Sequence, residues 1–551
     1  MQKILLITFL LGIALAQITP GVDPISAKVM PKPKNYTYGD LSLLVTDPCG
    51  VSYRPSVGSG KVPNHVYQII GFYTLNIFNS NENSCAMQRE LYKNETTIEK
   101  MRRLQHSQNI VFDIFIQDAA LATADTLEDE YYDLQIYNTT YWKLTANKYV
   151  GLLRGLETYS QLFTQDEDTE DWYLNNIPIS IQDQPDYIYR GLMIDSARHF
   201  LSVETILKTI DSMLFNKLNV LHWHITDTES FPFPLKSFPN ITKYGAYSKK
   251  KQYSFEDIQY IVDQALNKGI QVIPEVDSPG HAFSWARSPQ FSSIGLLCDQ
   301  YNGQLDPTLN LTYTAVKGIM EDMNTQFYTA KYVHFGGDEV EEQCWNKRPE
   351  IKEFMNQNNI STYTDLQNYY RKNQVNIWKS INATKPAIFW ADSNTLKYGP
   401  DDIIQWWGST HDFSSIKDLP NKIILSFYDN TYLDVGEGNR YGGSYGSMYN
   451  WDVLNSFNPR VPGIKGEILG GETCLWSEMN DDSTQFQRLW TRNSAFAERL
   501  WNTDAANNET YKTRALVSRM VFMQHRLTAR GIPASPVTVG ICEQNLSLCY
   551  N

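Results

Sequence analysis

Two adjacent carboxylates, Asp338 and Glu339, follow Gly336 and Gly337 in the segment HFGGDEV. Neighbours on a continuing strand point to opposite faces. Where a strand ends, after two flexible glycines, both carboxylates can reach one site. Crowding raises the pKa of one of them, and an apolar wall raises it further. The pair therefore offers one protonated acid and one anion, the division of labour used in acid/base cleavage of a glycosidic bond. The bland alternative is a solvated acidic loop continued by Glu341 and Glu342. The company the pair keeps argues against it. Arg190, Asp227, His281, Trp390, Trp407, Tyr432, Asp434, Trp476 and Glu478 also lie in or just after apolar, strand-like runs.

His222 and His224 share a face at i and i+2 and could chelate a metal with His281 and Asp338. The chain has only nine histidines, and Trp-rich strand ends suit a sugar ring better than an ion. We expect no metal and no other cofactor.

The elements that must position these residues change in character at Tyr187. From there, eight apolar runs (YRGLMIDSA, NVLHWHIT, IQVIPEVD, YVHFGGDE, PAIFWAD, IIQWW, KIILSFY and GGETCLW) alternate with mostly helical patterns such as VETILKTIDSMLFNKL and FEDIQYIVDQALNKG. Eight βα units predict an α/β fold, a (β/α)8 TIM barrel over 187–551 with a C-terminal tail. Polar residues at the carboxyl ends of its strands then form the site. A doubly wound sheet is the alternative, but the first run lacks the Gly-rich phosphate turn. Ahead of the barrel, 17–186 reads as a small α+β domain. VYQIIGFYTLNIF and NIVFDIFIQ look β-like, and ANKYVGLLRGLETYSQLF looks helical.

Composition bounds the partners. With 48 basic and 61 acidic residues the net charge is −13, a poor match for phosphate backbones or anionic lipid. Residues 1–16 (MQKILLITFLLGIALA) have the layout of a secretory signal peptide, with cleavage after Ala16. No later run is long and apolar enough to span a membrane. Asn35, Asn94, Asn138, Asn240, Asn310, Asn359, Asn382, Asn508 and Asn545 each head a glycosylation sequon. Seven cysteines are an odd number. Cys542 and Cys549 make a natural pair, and Cys474, after an apolar Gly-Gly stretch, is the candidate free thiol; sequence alone leaves the connectivity open. A protein of the secretory pathway, lysosomal or secreted, is expected.

YRGLMIDSARHF, FNKLNVLHWHITD, IPEVDSPGHAFSW, HFGGDEV and GGETCLWSE, in this order, resemble glycoside hydrolase family 20, the β-N-acetylhexosaminidases, and most nearly the eukaryotic lysosomal-type subunits. The resemblance covers 187 to about 535 and implies a substrate-assisted retaining mechanism. Glu339 would be the general acid and then the base. Asp338 would orient the substrate's acetamido N–H, and Tyr432 would bond its oxygen. Arg190, Asp434 and Glu478 would hold the ring hydroxyls. Trp390, Trp407 and Trp476 would box the sugar, and Asp227 and His281 would support the acid. It also implies the disulfides Cys49–Cys85, Cys298–Cys344 and Cys542–Cys549, with Cys474 free. Three departures stand out. Asp227 is followed by Thr228 where many relatives carry a second Asp, FYDNTYLD is longer before its Tyr, and Trp406 precedes Trp407 directly. Asp434–Val435 resembles subunits that prefer neutral over 6-sulfated sugars. The expected partner is a glycan ending in β-linked N-acetylhexosamine, and the expected assembly a homodimer. A catalytically inactive sugar-binding protein and a metal-dependent barrel amidohydrolase are the alternatives.

Overall fold

The computed structural model describes residues 22–45, 50–78, 109–121, 128–166, 171–299, 303–391, 396–436, 446–509 and 513–550. The signal segment, the Cys49–Cys85 pair and Asn94 lie outside the described residues. Of the remaining sequons, all are exposed at the Asn except Asn382, which is half-buried.

The first module is a sheet of seven strands, β1 (Asn35–Val45), β2 (Val51–Val57), β3 (Ile110–Asp118), β4 (Tyr132–Ile136), β5 (Tyr141–Lys148), β6 (Phe163–Gln165) and β7 (Trp172–Asp183). The order is β1-β7-β4-β5-β3-β2, with β6 paired to β7. In β3 alternate residues from Ile110 to Ile116 are buried, the period-2 signature of a sheet with one face on a core. That face is covered by helices α1 (Asn64–Phe78) and α2 (Tyr149–Leu162). Helix α1 corrects the expectation that VYQIIGFYTLNIF is a strand. Its β-branched and aromatic content favours a strand locally, but the buried residues Val66, Ile69, Ile70, Tyr73 and Ile77 recur at helical spacing. Packing against α2 therefore decides the conformation.

All eight strand-like runs enter one closed parallel barrel: β8 (Tyr189–Asp195), β9 (Val220–Thr226), β10 (Gln271–Val276), β13 (Val333–His334), β14 (Ala387–Ala391), β15 (Ile403–Trp406), β16 (Lys422–Leu425) and β17 (Ile468–Leu475). A short antiparallel pair, β11 (Gly295–Leu297) with β12 (Gly303–Leu305), decorates the loop after β10. Every residue of β8, β9 and β10 is buried, as expected for strands covered on both faces.

Helices α3 (Val203–Phe215), α4 (Phe255–Asn267), α5 (Asn310–Gln326), α6 (Tyr363–Ile381), α7 (Arg492–Trp501) and α8 (Arg514–Ala529) lie outside the strands. Ser254 and Asp257 form a reciprocal capping box that starts α4. The (β/α)8 barrel is as expected, with helices in most but not all of the gaps between strands. Among the described residues, the segments after β14 and β15 hold no helix, and the one after β16 holds only the short turn Trp451–Asn455. Their described residues run mostly as rim loops instead. The run FQRLWTRNSAFAERLW also divides into two helices, Gln485–Leu489 and α7.

The two modules meet at the barrel's amino end. There Glu130 receives hydrogen bonds from Arg154 Nε (2.5 Å) and from Arg190 Nη2 (2.6 Å). Trp501 Nε1 donates to Asp183 (2.9 Å). Disulfides join Cys298 to Cys344 and Cys542 to Cys549, and Cys474 is a buried free thiol. No helix among the described residues is long and apolar enough to cross a membrane.

Candidate active site

A cavity of about 480 Å³ opens at the carboxyl ends of the barrel strands, where this architecture places its chemistry. Asp338, Glu339, His281, Trp407, Tyr432, Asp434, Trp476 and Glu478 all line it. Its floor is a cluster of Met193, Trp390 and Cys474 beneath Trp407, Tyr432 and Trp476.

The backbone after β13 turns sharply. Gly336 and Gly337 have φ of +61° and +92°, and Glu339 follows at +47°. Gly337 N donates to Asp277 Oδ1 (2.7 Å), and a Cβ on Gly336 would sit 1.9 Å from that oxygen. Only glycine permits the approach, and it is this turn that brings both carboxylates to one cavity. His281, also at positive φ (53°), lies with Nε2 3.4 Å from Glu339 and Nδ1 3.3 Å from Asp227. Strained residues of this kind persist where the surroundings over-determine them.

Tyr432 pairs with Cys474 as an extra bridge beside β17, and Leu433 N donates to Cys474 O (2.7 Å). Strand-like alternation then turns Leu433 into the core and both Tyr432 and Asp434 toward the cavity. Asp338 Oδ1 and Trp407 Nε1 are buried and find no hydrogen-bond partner among the described residues. In a native structure such orphaned atoms call for a ligand or water.

Electrostatics split the carboxylates. Burial, reinforced by Glu339 and Glu275, pushes Asp338 up to about 7. Glu339 is held below its usual range by the hydrogen bond from His281; its side chain is 60% exposed at the rim. Burial disfavours charge on His281, but Asp227 outweighs it and raises the imidazole well above its ordinary value. Asp227 itself is buried under the cavity wall, 2.8 Å from Arg198 and 2.9 Å from His224. It thus touches Arg198 and His224 and does not line the cavity.

Two expectations need correction. Arg190 is not at the site. It sits near the amino end of β8, fully buried, with Nη1 donating to Tyr187 O (2.8 Å) and Nε to Lys217 O (2.9 Å) in addition to the Glu130 bond. The arginine in the cavity is Arg198, past the carboxyl end of the same strand. It pairs with Asp195 and Asp227 and stacks 5.0 Å from the Trp476 ring centroid. The signal lay in the same motif, since Arg198 follows Asp195, the last residue of the strand, by three positions. Trp390 is the second correction. It is a floor residue, 1% exposed, with its indole N–H donated to Glu275 (2.7 Å). Sequence reasoning also missed Tyr428 and Tyr449, which line the rim from loops whose geometry has no periodic signal. The two histidines of HWH are held by carboxylates: His222 by Glu472 (2.8 Å) and Glu275 (2.9 Å), His224 by Glu275 (2.7 Å) and Asp227.

The glycosyl hydrolase family 20 catalytic domain matches residues 187–504, and a beta-acetyl hexosaminidase-like domain matches 29–162. The chain belongs to glycosyl hydrolase family 20. It is 36% identical to a chitooligosaccharidolytic beta-N-acetylglucosaminidase of Bombyx mori, over 77% of this chain and 75% of the relative. It is 34% identical to the beta-hexosaminidase subunit beta of Mus musculus, over 82% of this chain and 83% of the relative. A solved exo beta-N-acetylglucosaminidase from Vibrio harveyi, in complex with N-acetylglucosamine, shares the fold with a TM-score of 0.73 at 23% identity, covering 93% of this chain and 79% of that one. This family 20 protein is therefore a glycoside hydrolase, and the cavity is its candidate active site.

Proposed function

We propose that this family 20 protein is an exo-acting β-N-acetylhexosaminidase that removes terminal β-linked N-acetylglucosamine or N-acetylgalactosamine with the substrate's own acetamido group as nucleophile. The observation that carries this reading is the buried, unpartnered Oδ1 of Asp338 in the cavity that Tyr432 also lines. Tyr432 is kept protonated by burial. An acceptor and a donor in one cavity suit the N–H and C=O of an acetamido group.

In this reading the acetamido oxygen forms a bond to the anomeric carbon as the glycosidic C–O bond breaks, and Glu339 gives its proton to the departing oxygen. Asp338 accepts the N–H and balances the positive charge of the resulting oxazolinium. Water then adds to the anomeric carbon, its proton passing to Glu339, and the acetamide is restored. Holding an internal nucleophile in place exploits high effective molarity. On their own the two carboxyls are biased the other way, with Asp338 raised to about 7 and Glu339 lowered. A seated sugar corrects both: its N–H favours the Asp338 anion, and its bulk desolvates Glu339 and favours the acid.

Arg198 replaces Arg190 as the cation for the ring hydroxyls, with Asp434 and Glu478 beside it. Asp434 would repel a 6-sulfate, so neutral sugars are preferred. Residues 17–186 are the accessory module and 187–551 the catalytic one. Two disulfides suit an oxidising compartment and support the secretory route. The assembly is a homodimer; light scattering showing a monomer would count against it.

The decisive assay is a panel of chromogenic β-GlcNAc, β-GalNAc, β-glucose and 6-sulfated β-GlcNAc substrates. We expect cleavage of the first two, loss of β-glucoside turnover and weaker turnover of the sulfated sugar. Glu339→Gln should lower kcat by about 10²-fold or more while retaining inhibitor binding. Comparable cleavage of β-glucoside would overturn the acetamido mechanism.

A further inference from the structure

A second cavity of about 350 Å³ adjoins the first, lined by Thr228, His281, Gln304, Glu339, Val340 and Glu341, with Gly280, Gly303 and Cys298 completing it. The two cavities share only His281 and Glu339. The pair is therefore the partition between them, with the tryptophans all on one side. We propose that this second cavity seats the group released from the sugar, and that Glu341 biases it toward neutral and cationic aglycones over anionic ones. The proposal rests on the hexosaminidase reading above. A general acid must stand between the sugar it frees and the oxygen it protonates. If the first cavity takes the sugar, the space beyond Glu339 takes the leaving group.

The walls are built to hold their shape. Glu341 N donates to Gln304 Oε1 (2.9 Å), and Gln304 Nε2 donates back to Glu341 O (3.2 Å). Cys344 N also donates to Glu341 O (2.9 Å), and the Cys298–Cys344 disulfide ties that turn to the strand pair β11–β12. Thr228 Oγ1 donates to Gly303 O (3.2 Å). No lining residue is a Trp, Tyr or Phe, so this cavity recognises its occupant chiefly by hydrogen bonds and charge. Its charge is lopsided. Glu341 is an exposed carboxylate with no Lys or Arg paired to it among the described residues, whereas Glu339 is the neutral acid while a sugar is seated. His281 is the only cation in the lining, and it is already engaged by Asp227 and Glu339. A uronic or sialic acid placed here meets like charge, whereas a protonated amino sugar meets opposite charge.

The test uses the full chain and three disaccharides with the same non-reducing β-GlcNAc, joined to N-acetylglucosamine, to glucosamine or to glucuronic acid. Nitrophenyl β-GlcNAc reports the underlying activity. The readout is the ratio of kcat/KM values within each protein, which cancels any general loss. We expect the glucuronic acid conjugate to be about three- to fivefold poorer than the neutral one, the typical scale for one partly screened charge. The glucosamine conjugate should be at least as good as the neutral one. Glu341→Gln should bring the three ratios toward one, and added salt should do the same in the unmodified protein. Ratios unchanged by Glu341→Gln, or a glucuronic acid conjugate equal to the neutral one at low salt, would overturn the proposal while nitrophenyl β-GlcNAc is still cleaved. Failure to cleave nitrophenyl β-GlcNAc would overturn the activity, and the proposal with it.

Discussion

Asp338 carries a cost that varies with pH. Burial raises its carboxyl from 3.8 to about 7, so between those values the folded protein binds more protons there than the unfolded chain. Stability from this group is full below the ordinary value and is lost as pH rises through about 7. Glu229, raised to about 7 by burial and by Asp227, adds to the same slope. Asp227 and Glu275 work oppositely. Arg198 and the neighbouring histidines override burial and hold them well below their usual range, so their contribution fades only under stronger acid. Thermal midpoints of the ligand-free protein should therefore peak in mild acid and decline toward neutral pH, and Asp338→Asn should flatten the decline. An unchanged slope in that variant would show that other groups carry it. At this scale the sequence was legible where chemistry and spacing coincide. Asp338, Glu339, Tyr432 and Asp434 need only a strand end and an alternation to be placed. Arg190 misled because a motif does not say at which end of its strand a residue sits. Only the extent of β8 separates Arg190 from Arg198.

At the scale of elements, the turn after β13 sets the placement of Asp338 and Glu339. Gly336→Ala forces a side chain into the left-handed region, at about 1–2 kcal/mol, and drives its Cβ against Asp277. We expect kcat to fall at least about a hundredfold, the scale for a misplacement of about 1 Å, with circular dichroism showing a folded protein. Near-normal kcat would mean that the turn can relax without moving Glu339. The eight strands were readable because each is a short apolar run covered on both faces. Helix α1 was not, because its β-branched residues speak for a strand and only its packing partner speaks for a helix. The segments after β14, β15 and β16, which among the described residues hold no helix longer than Trp451–Asn455, were equally silent. They owe their shape to contacts such as Leu433 with Cys474, which bring together residues distant in sequence.

At the scale of the whole molecule, Glu130 joins the two modules. Its carboxylate is shared between Arg154 and Arg190, all three buried. Removing one partner of a buried charged group leaves the others uncompensated, at about 3–5 kcal/mol. Glu130→Ala should show that loss in chemical denaturation, with a smaller effect on KM because the cluster lies at the barrel end remote from the cavity. A change below about 1 kcal/mol would mean that water replaces the carboxylate. The floor of Met193, Trp390 and Cys474 has a kinetic consequence. The sugar cavity is a blind alley, and the group beyond Glu339 blocks its mouth until the bond is cut. On the proposed reading, departure is ordered: the aglycone would leave first, and the hexosamine last. Free N-acetylhexosamine would then compete with incoming substrate, whereas the aglycone would meet an enzyme that still holds its sugar. There the aglycone would be open to renewed glycosylation, so the proposed intermediate, run backwards, would transfer its sugar to an acceptor.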